Sequence, residues 1–251
     1  MAITPVGNAK SPTTENAANV GPTATVTPPG GLQSGDYVVV LAGYRGTSVT
    51  LAVGTTGGQT WTSETAQTQS TTNTSRLFHC RFNGTWSADP TFTVTSGTNA
   101  IIAYMTAWRG VHGTTALDLA IAQAGYAAPS TPFDVARAGL TTVTDKAVVL
   151  YFWLSSDNNT WAMQTAGLDQ IEAMWRVTTT TGLAISLGYM TQWTAGASGS
   201  FTNRQTALGG DAGTTHVLAL RPATITTILE DRKRIGIGIW RPVPTAQTRR
   251  R

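Results

Sequence analysis

Two facing carboxylates would make a glycosidase, and the nearest acidic pair in this 251-residue chain is Asp169 with Glu172. The remaining acids are scattered through turn-like stretches, where a carboxylate is normally just solvated. The three histidines, His79, His112 and His216, stand far apart and show no HExxH-type spacing for a metal. A histidine inside a strand-like run reads as a half-buried polar side chain. The nearest string to a nucleophile elbow, Gly196-Ala197-Ser198-Gly199-Ser200, lacks the required spacing. Gly236-Ile237-Gly238 is followed by Arg241 where a dinucleotide fingerprint needs glycine, and no βαβ context precedes it. No catalytic residue, metal ligand or cofactor is therefore expected, and the chain reads as a non-enzyme.

Eight tryptophans are the stronger chemical signal. Trp108 and Trp153 lie inside apolar runs and read as core. Trp61, Trp86, Trp161 and Trp193 lie in or near loops, where a flat amphipathic ring can stack on a sugar; they are the candidate glycan-stacking residues. A second candidate is the tail. Residues 1–221 carry ten Lys or Arg against eleven acids, whereas residues 222–251 carry seven against Glu230 and Asp231, so the net charge of +4 belongs to the tail. Arg232, Lys233 and Arg234 precede Ile235, Ile237, Ile239 and Trp240, and Arg249, Arg250 and Arg251 close the sequence. With one aromatic and no nucleic-acid-binding motif, this segment reads as an assembly arm adding a strand to a neighbour's sheet edge rather than as a phosphate-binding patch.

The elements that must position these residues are strands. Gly35–Gly46, GDYVVVLAGYRG, is echoed by Asp145–Ser156, DKAVVLYFWLSS. In each, an acidic turn residue precedes β-branched, aromatic and leucine side chains bounded by small or polar ones, the pattern of a buried strand. Further strands are expected over Thr23–Thr27, Val49–Val53, Ser75–Phe82, Thr91–Thr95 and Ala100–Gly110. After a linker at Val111–Pro132, with one short helix over Leu117–Ala124, the order repeats in Gln170–Thr178, Leu183–Gln192, Phe201–Leu208 and Thr215–Leu220. In Ser75–Phe82, Phe78, Cys80 and Phe82 share the face expected in the core, while Leu77, His79 and Arg81 share the other. Ala100–Gly110 is apolar on both faces and should be central.

Charged residues make up only 12% of the chain, about half the usual share of roughly 25%, which suits β-structure. Cys80 is alone, so no intrachain disulfide forms. The first residues lack the basic and apolar regions of a signal peptide, and no apolar run approaches the roughly eighteen residues of a membrane helix. The expected organisation is an N-terminal arm over 1–20, a β-sandwich domain over 21–223 with halves at about 21–111 and 133–223, and a basic anchoring extension over 224–251. The expected fold is an all-β, jelly-roll-like sandwich of two similar halves, preferred over two separate domains because neither half shows enough apolar surface to cover both faces of its own sheet.

The succession GLQSGDYVVVLAGYRG, QTWTSETAQ, SRLFHCRF, FTVTSGTNAIIAYMTAWRGV, AVVLYFWLSS, NNTWAMQ and HVLALRPA resembles β-sandwich surface and tail-associated structural proteins of tailed bacteriophages and prophages, over roughly residues 20–223. The resemblance implies architecture and setting, and no binding residue. The implied protein is a virion component, decorating head or tail, made in the host cytoplasm, forming a homo-oligomer and contacting other virion proteins. Host-surface glycan is the alternative partner; neither nucleic acid nor membrane is expected.

Overall fold

The computed structural model describes residues 1–14, 19–47, 49–69, 73–177, 182–206 and 209–224. Among them there are seventeen strands, all paired antiparallel, and no helix. In chain order the first half gives β1 (Thr4–Ser11), β2 (Thr23–Thr25), β3 (Tyr37–Tyr44), β4 (Leu51–Val53), β5 (Trp61–Ser63), β6 (Gln67–Gln69), β7 (Asn73–Arg81), β8 (Thr91–Val94) and β9 (Ile101–Arg109). The second gives β10 (Ala122–Tyr126), β11 (Asp134–Ala138), β12 (Ala147–Ser155), β13 (Trp161–Met163), β14 (Asp169–Val177), β15 (Leu183–Gln192), β16 (Ser200–Gln205) and β17 (Gly213–Leu220).

These strands form four sheets. One large sheet runs β1-β9-β3-β7-β5, with β6 also on β7, and the other runs β10-β17-β12-β15-β14. Two three-stranded sheets, β2-β8-β4 and β11-β16-β13, complete the fold. The opening strands β3 and β12 are interior in their sheets and buried at every position, which is why their sequences are continuously apolar rather than alternating.

Three layers of side chains hold the sheets together. Val39, Leu41, Leu77, Ile102 and Tyr104 of one large sheet meet Leu150, Phe152, Ile185 and Leu218 of the other in a central layer. Val38, Val40, Phe78 and Met105 pack outward against Ala24, Leu51 and Phe92 of the small sheet β2-β8-β4. Val149, Tyr151, Trp153 and Val217 pack against Val135, Trp161 and Phe201 of β11-β16-β13. The fold is thus an all-β sandwich, but with four sheets rather than one sheet per half. The short strands contribute few apolar residues each, so the cover they give the large sheets is not conspicuous in the sequence. For the same reason Leu77 and His79, expected on the open face of their strand, are buried along with Phe78 and Cys80. The jelly-roll description goes further than these strand orders do.

Two other expectations are corrected. Residues 4–11, read as part of an arm, pair with β9 from Thr4↔Arg109 to Ser11↔Ala103, with a bulge between Pro5 and Gly7. A sheet-edge strand needs no apolar run, and this one is mostly half-exposed. The short helix expected over Leu117–Ala124 is absent: Leu117 bridges to Leu220, and Ala122 begins β10 on β17. Backbone pairing to an existing strand satisfies the polar groups there and overrides local propensity.

Candidate functional site

The four candidate stacking tryptophans do not form one platform. Trp61 and Trp86 adjoin, with ring centroids 6.3 Å apart. Trp61 lies edge-on to Phe92 and Trp86 stacks on Phe82 at 5.1 Å, so both belong partly to the outer core. The Trp61 indole N–H donates to the Thr56 carbonyl at 2.8 Å. Trp161 is in the other half and only 4% exposed, packed among Val135 and Phe201; the expectation of a surface ring fails there because β13 carries it inward. Trp193 is 70% exposed. Its loop is fixed nonetheless: the Ala195 N–H donates to Asp145 Oδ1 at 2.7 Å, and Thr142 and Gly196 exchange hydrogen bonds. Val143, 60% exposed, stands on the facing loop. The assembly-arm residues, Arg232 through Trp240 and Arg249 to Arg251, lie outside the described residues.

Most charged groups of the body act as ties. Asp36, almost fully buried, accepts from Arg109 Nε and Nη2 at 2.9 and 2.7 Å and from the Gln33 N–H at 2.7 Å. That contact fastens the turn before β3 to the end of β9, and the hydrogen bond to Asp36 raises the Arg109 pKa above its ordinary value. Arg221 stands at the end of β17 as Arg109 does at the end of β9, yet it reaches linker Asp118 at 3.3 Å rather than turn Asp145. Asp118 also accepts from the Val143 N–H at 2.7 Å, so the linker is tied to the turn before β12 as well as to the end of β17. Asp134 pairs with Arg204 at 2.6 and 3.0 Å across β11 and β16, and this hydrogen bonding lowers the Asp134 pKa. Asp169 is exposed at the head of β14; the side chain of Glu172 lies outside the described residues.

The sequence gives no hint of two polar clusters. In the first, Glu64 Oε1 meets His79 Nε2 at 2.8 Å, and His79 Nδ1 meets the Tyr37 hydroxyl at 2.6 Å. The chain Glu64–His79–Tyr37 crosses from the end of β5 over β7 to β3. Burial raises the Tyr37 pKa. An open cleft of about 410 Å³ lies against it, lined by Tyr37, His79, Arg81, Thr60, Thr62 and the linker residues 113–117. In the second, Ser75 Oγ lies 2.7 Å from His216 Nε2 and 2.6 Å from Thr214 Oγ1, while Asn73 donates to Ser156 Oγ at 2.6 Å. These groups are buried between the large sheets. Desolvation pushes the His216 pKa down to about 3, with a smaller contribution from Arg137, so the imidazole is neutral. A serine–histidine contact here has no access to a substrate and serves as a seam. His112, the third histidine, accepts the Thr115 N–H at Nδ1, 3.1 Å away, and shapes the linker turn.

Ser198, from the nucleophile-like string, is likewise structural. Its hydroxyl bonds Tyr151 at 2.7 Å and accepts the Leu140 N–H at 3.0 Å, at the edge of a groove of about 210 Å³. Among the described residues, no three His, Cys, Asp or Glu side chains gather where a metal ion could be held, and no helix is long and apolar enough to cross a membrane. Comparison with protein-family models, with curated proteins and with solved structures finds no match for this chain.

Proposed function

We propose that this chain is a non-enzymatic structural protein of a bacteriophage particle, decorating head or tail. In this reading the β body faces outward and the basic extension over 224–251 ties each subunit to its neighbours. The observation that carries it is the use of the body's polar side chains. Asp36–Arg109, Asp118–Arg221, Asp134–Arg204 and Ser75–His216 each join one strand or turn to another, which makes a body stiffened for assembly. The resemblance to virion surface proteins supplies the setting, and many weak contacts repeated around a particle would sum to firm attachment. Expression with the other virion proteins, with and without residues 224–251, tests it by electron microscopy of the assembled particles. Loss of the subunit from particles on truncation, with the body still folded, is the expected result; unchanged incorporation overturns the anchoring role.

A second reading, binding of host-surface glycan, is favoured by Trp193. A ring 70% exposed on a loop held at Asp145 and Thr142 is pre-positioned for stacking. Binding of the assembled protein to a glycan array, lost on Trp193→Ala, is the outcome this reading requires; an array without signal removes it.

A further inference from the structure

We propose that the cleft beside Tyr37 and His79 binds a sugar unit bearing a carboxylate. The inference rests on the glycan-binding reading and locates its specificity away from the tryptophans. The cleft is walled on one side by Tyr37, His79, Arg81, Thr60 and Thr62, and on the other by the linker turn containing Thr114 and Thr115. That turn is fixed to the second half of the chain: the His112 N–H donates to the Arg221 carbonyl, and the Arg221 N–H donates to the Ala116 carbonyl, each at 2.8 Å. A molecule seated there touches the first half and the linker that is tied to the second.

The wall chemistry specifies the class. Arg81 donates to the Gly35 carbonyl at 2.6 Å and to the His112 carbonyl at 2.5 Å, which leaves three of its five N–H groups. Its guanidinium also lies 5.3 Å from the Tyr37 ring centre, over the ring face, so the cation is held in place at the cleft. An oriented guanidinium suits a carboxylate better than a neutral group. Glu64 Oε1 lies 2.8 Å from His79 Nε2 and the Tyr37 hydroxyl 2.6 Å from His79 Nδ1, so the three side chains hold one another in place. Whichever of the two atoms donates in the Tyr37–His79 contact, the Tyr37 oxygen keeps a lone pair that can accept from a ligand hydroxyl. Thr60, Thr62, Thr114 and Thr115 are all exposed, and their hydroxyls both donate and accept, the pairing that a ring of sugar hydroxyls needs. A volume of about 410 Å³ holds one or two sugar rings and not a long chain.

Titration of the full ¹⁵N-labelled chain with sodium glucuronate, with glucose and with sodium acetate tests the assignment by amide chemical shifts. Glucuronate is expected to move the resonances of Thr60, Thr62, Gly113, Thr114 and Thr115, saturating at about tenfold lower concentration than either comparator, as one charge-assisted hydrogen bond predicts. Thr62→Val, at an exposed position that leaves the fold intact, should weaken glucuronate severalfold, and Tyr37→Phe by a similar factor. Cleft resonances that ignore glucuronate, or that respond equally to acetate, overturn the proposal. If glucuronate instead moves only the Trp193 indole resonance, glycan binding stands and the cleft is wrong. If no resonance moves and the glycan array is also blank, both readings fall together.

Discussion

Lowering the pH should loosen the seam between the two large sheets through one residue, His216. Its side chain is fully buried, contacts Ser75 at Nε2, and has no hydrogen-bond partner at Nδ1 among the described residues. Burial depresses its pKa from 6.5 to about 3. In the unfolded chain the imidazole titrates at its ordinary value, so between about pH 6.5 and 3 the unfolded state binds a proton that the folded state refuses. Stability is then fully present above 6.5 and falls as the pH drops towards 3. At pH 5 the loss covers one and a half pH units at about 1.4 kcal/mol each, on the order of 2 kcal/mol. Equilibrium urea unfolding at pH 7.5 and pH 5.0, on the natural chain and on His216→Gln, measures this. Other groups titrate over the same range, so the readout is the difference between the two proteins. The variant is expected to be less stable at pH 7.5 but to lose about 2 kcal/mol less on acidification. Equal pH dependence in both would refute the reasoning, because it would mean that the imidazole is hydrated or protonated in the folded state.

Gly43 on β3 faces Leu154 on β12: a Cβ there would come within 2.1 Å of Leu154 Cδ1 and 3.3 Å of Ile102 Cγ2. Gly43→Val is expected to cost about 1–3 kcal/mol in urea unfolding, with part recovered by Leu154→Ala in the same chain. Trp161→Ala should cost about 3–5 kcal/mol, because the ring is core, whereas Trp193→Ala should stay within about 0.5 kcal/mol of the natural protein. Similar losses from the two would contradict their burial. Burial pushes the Cys80 thiol up to about 12, so a thiol reagent at pH 8 should leave the native protein unmodified and react once guanidinium unfolds it; rapid native reaction would show that this strand opens.

The two large sheets share a plan, β1-β9-β3-β7-β5 beside β10-β17-β12-β15-β14, and each is backed by a three-stranded sheet. Their differences fall at the ends. Arg109 closes on the turn aspartate of its own half, Asp36, whereas Arg221 closes on the linker at Asp118. The second contact ties the linker to the end of β17, next to the residues 113–117 that line the cleft beside Tyr37.

What the sequence determined by itself is the class and the placement of the principal strands. Val38 to Leu41 and Val148 to Leu154 read as buried strands rather than a short helix, because β-branched and aromatic residues in short runs between turns favour a pleated backbone packed on both faces. The expected strand over Leu183–Gln192 has the same bounds in the structure. Trp108 and Trp153 were legible as core for the same reason. The tertiary structure alone decided what covers each face. A period of two assigns Leu77 and His79 to one side and Phe78 and Cys80 to the other, but it carries no information about which distant strand will lie there. Phe92 of β8 and Phe152 of β12 supply that cover from opposite sides. The Glu64–His79–Tyr37 chain and the Ser75–His216 seam were invisible for the same reason. Their members are joined through pairing between strands far apart in the chain, and no spacing in the sequence encodes which strands will pair.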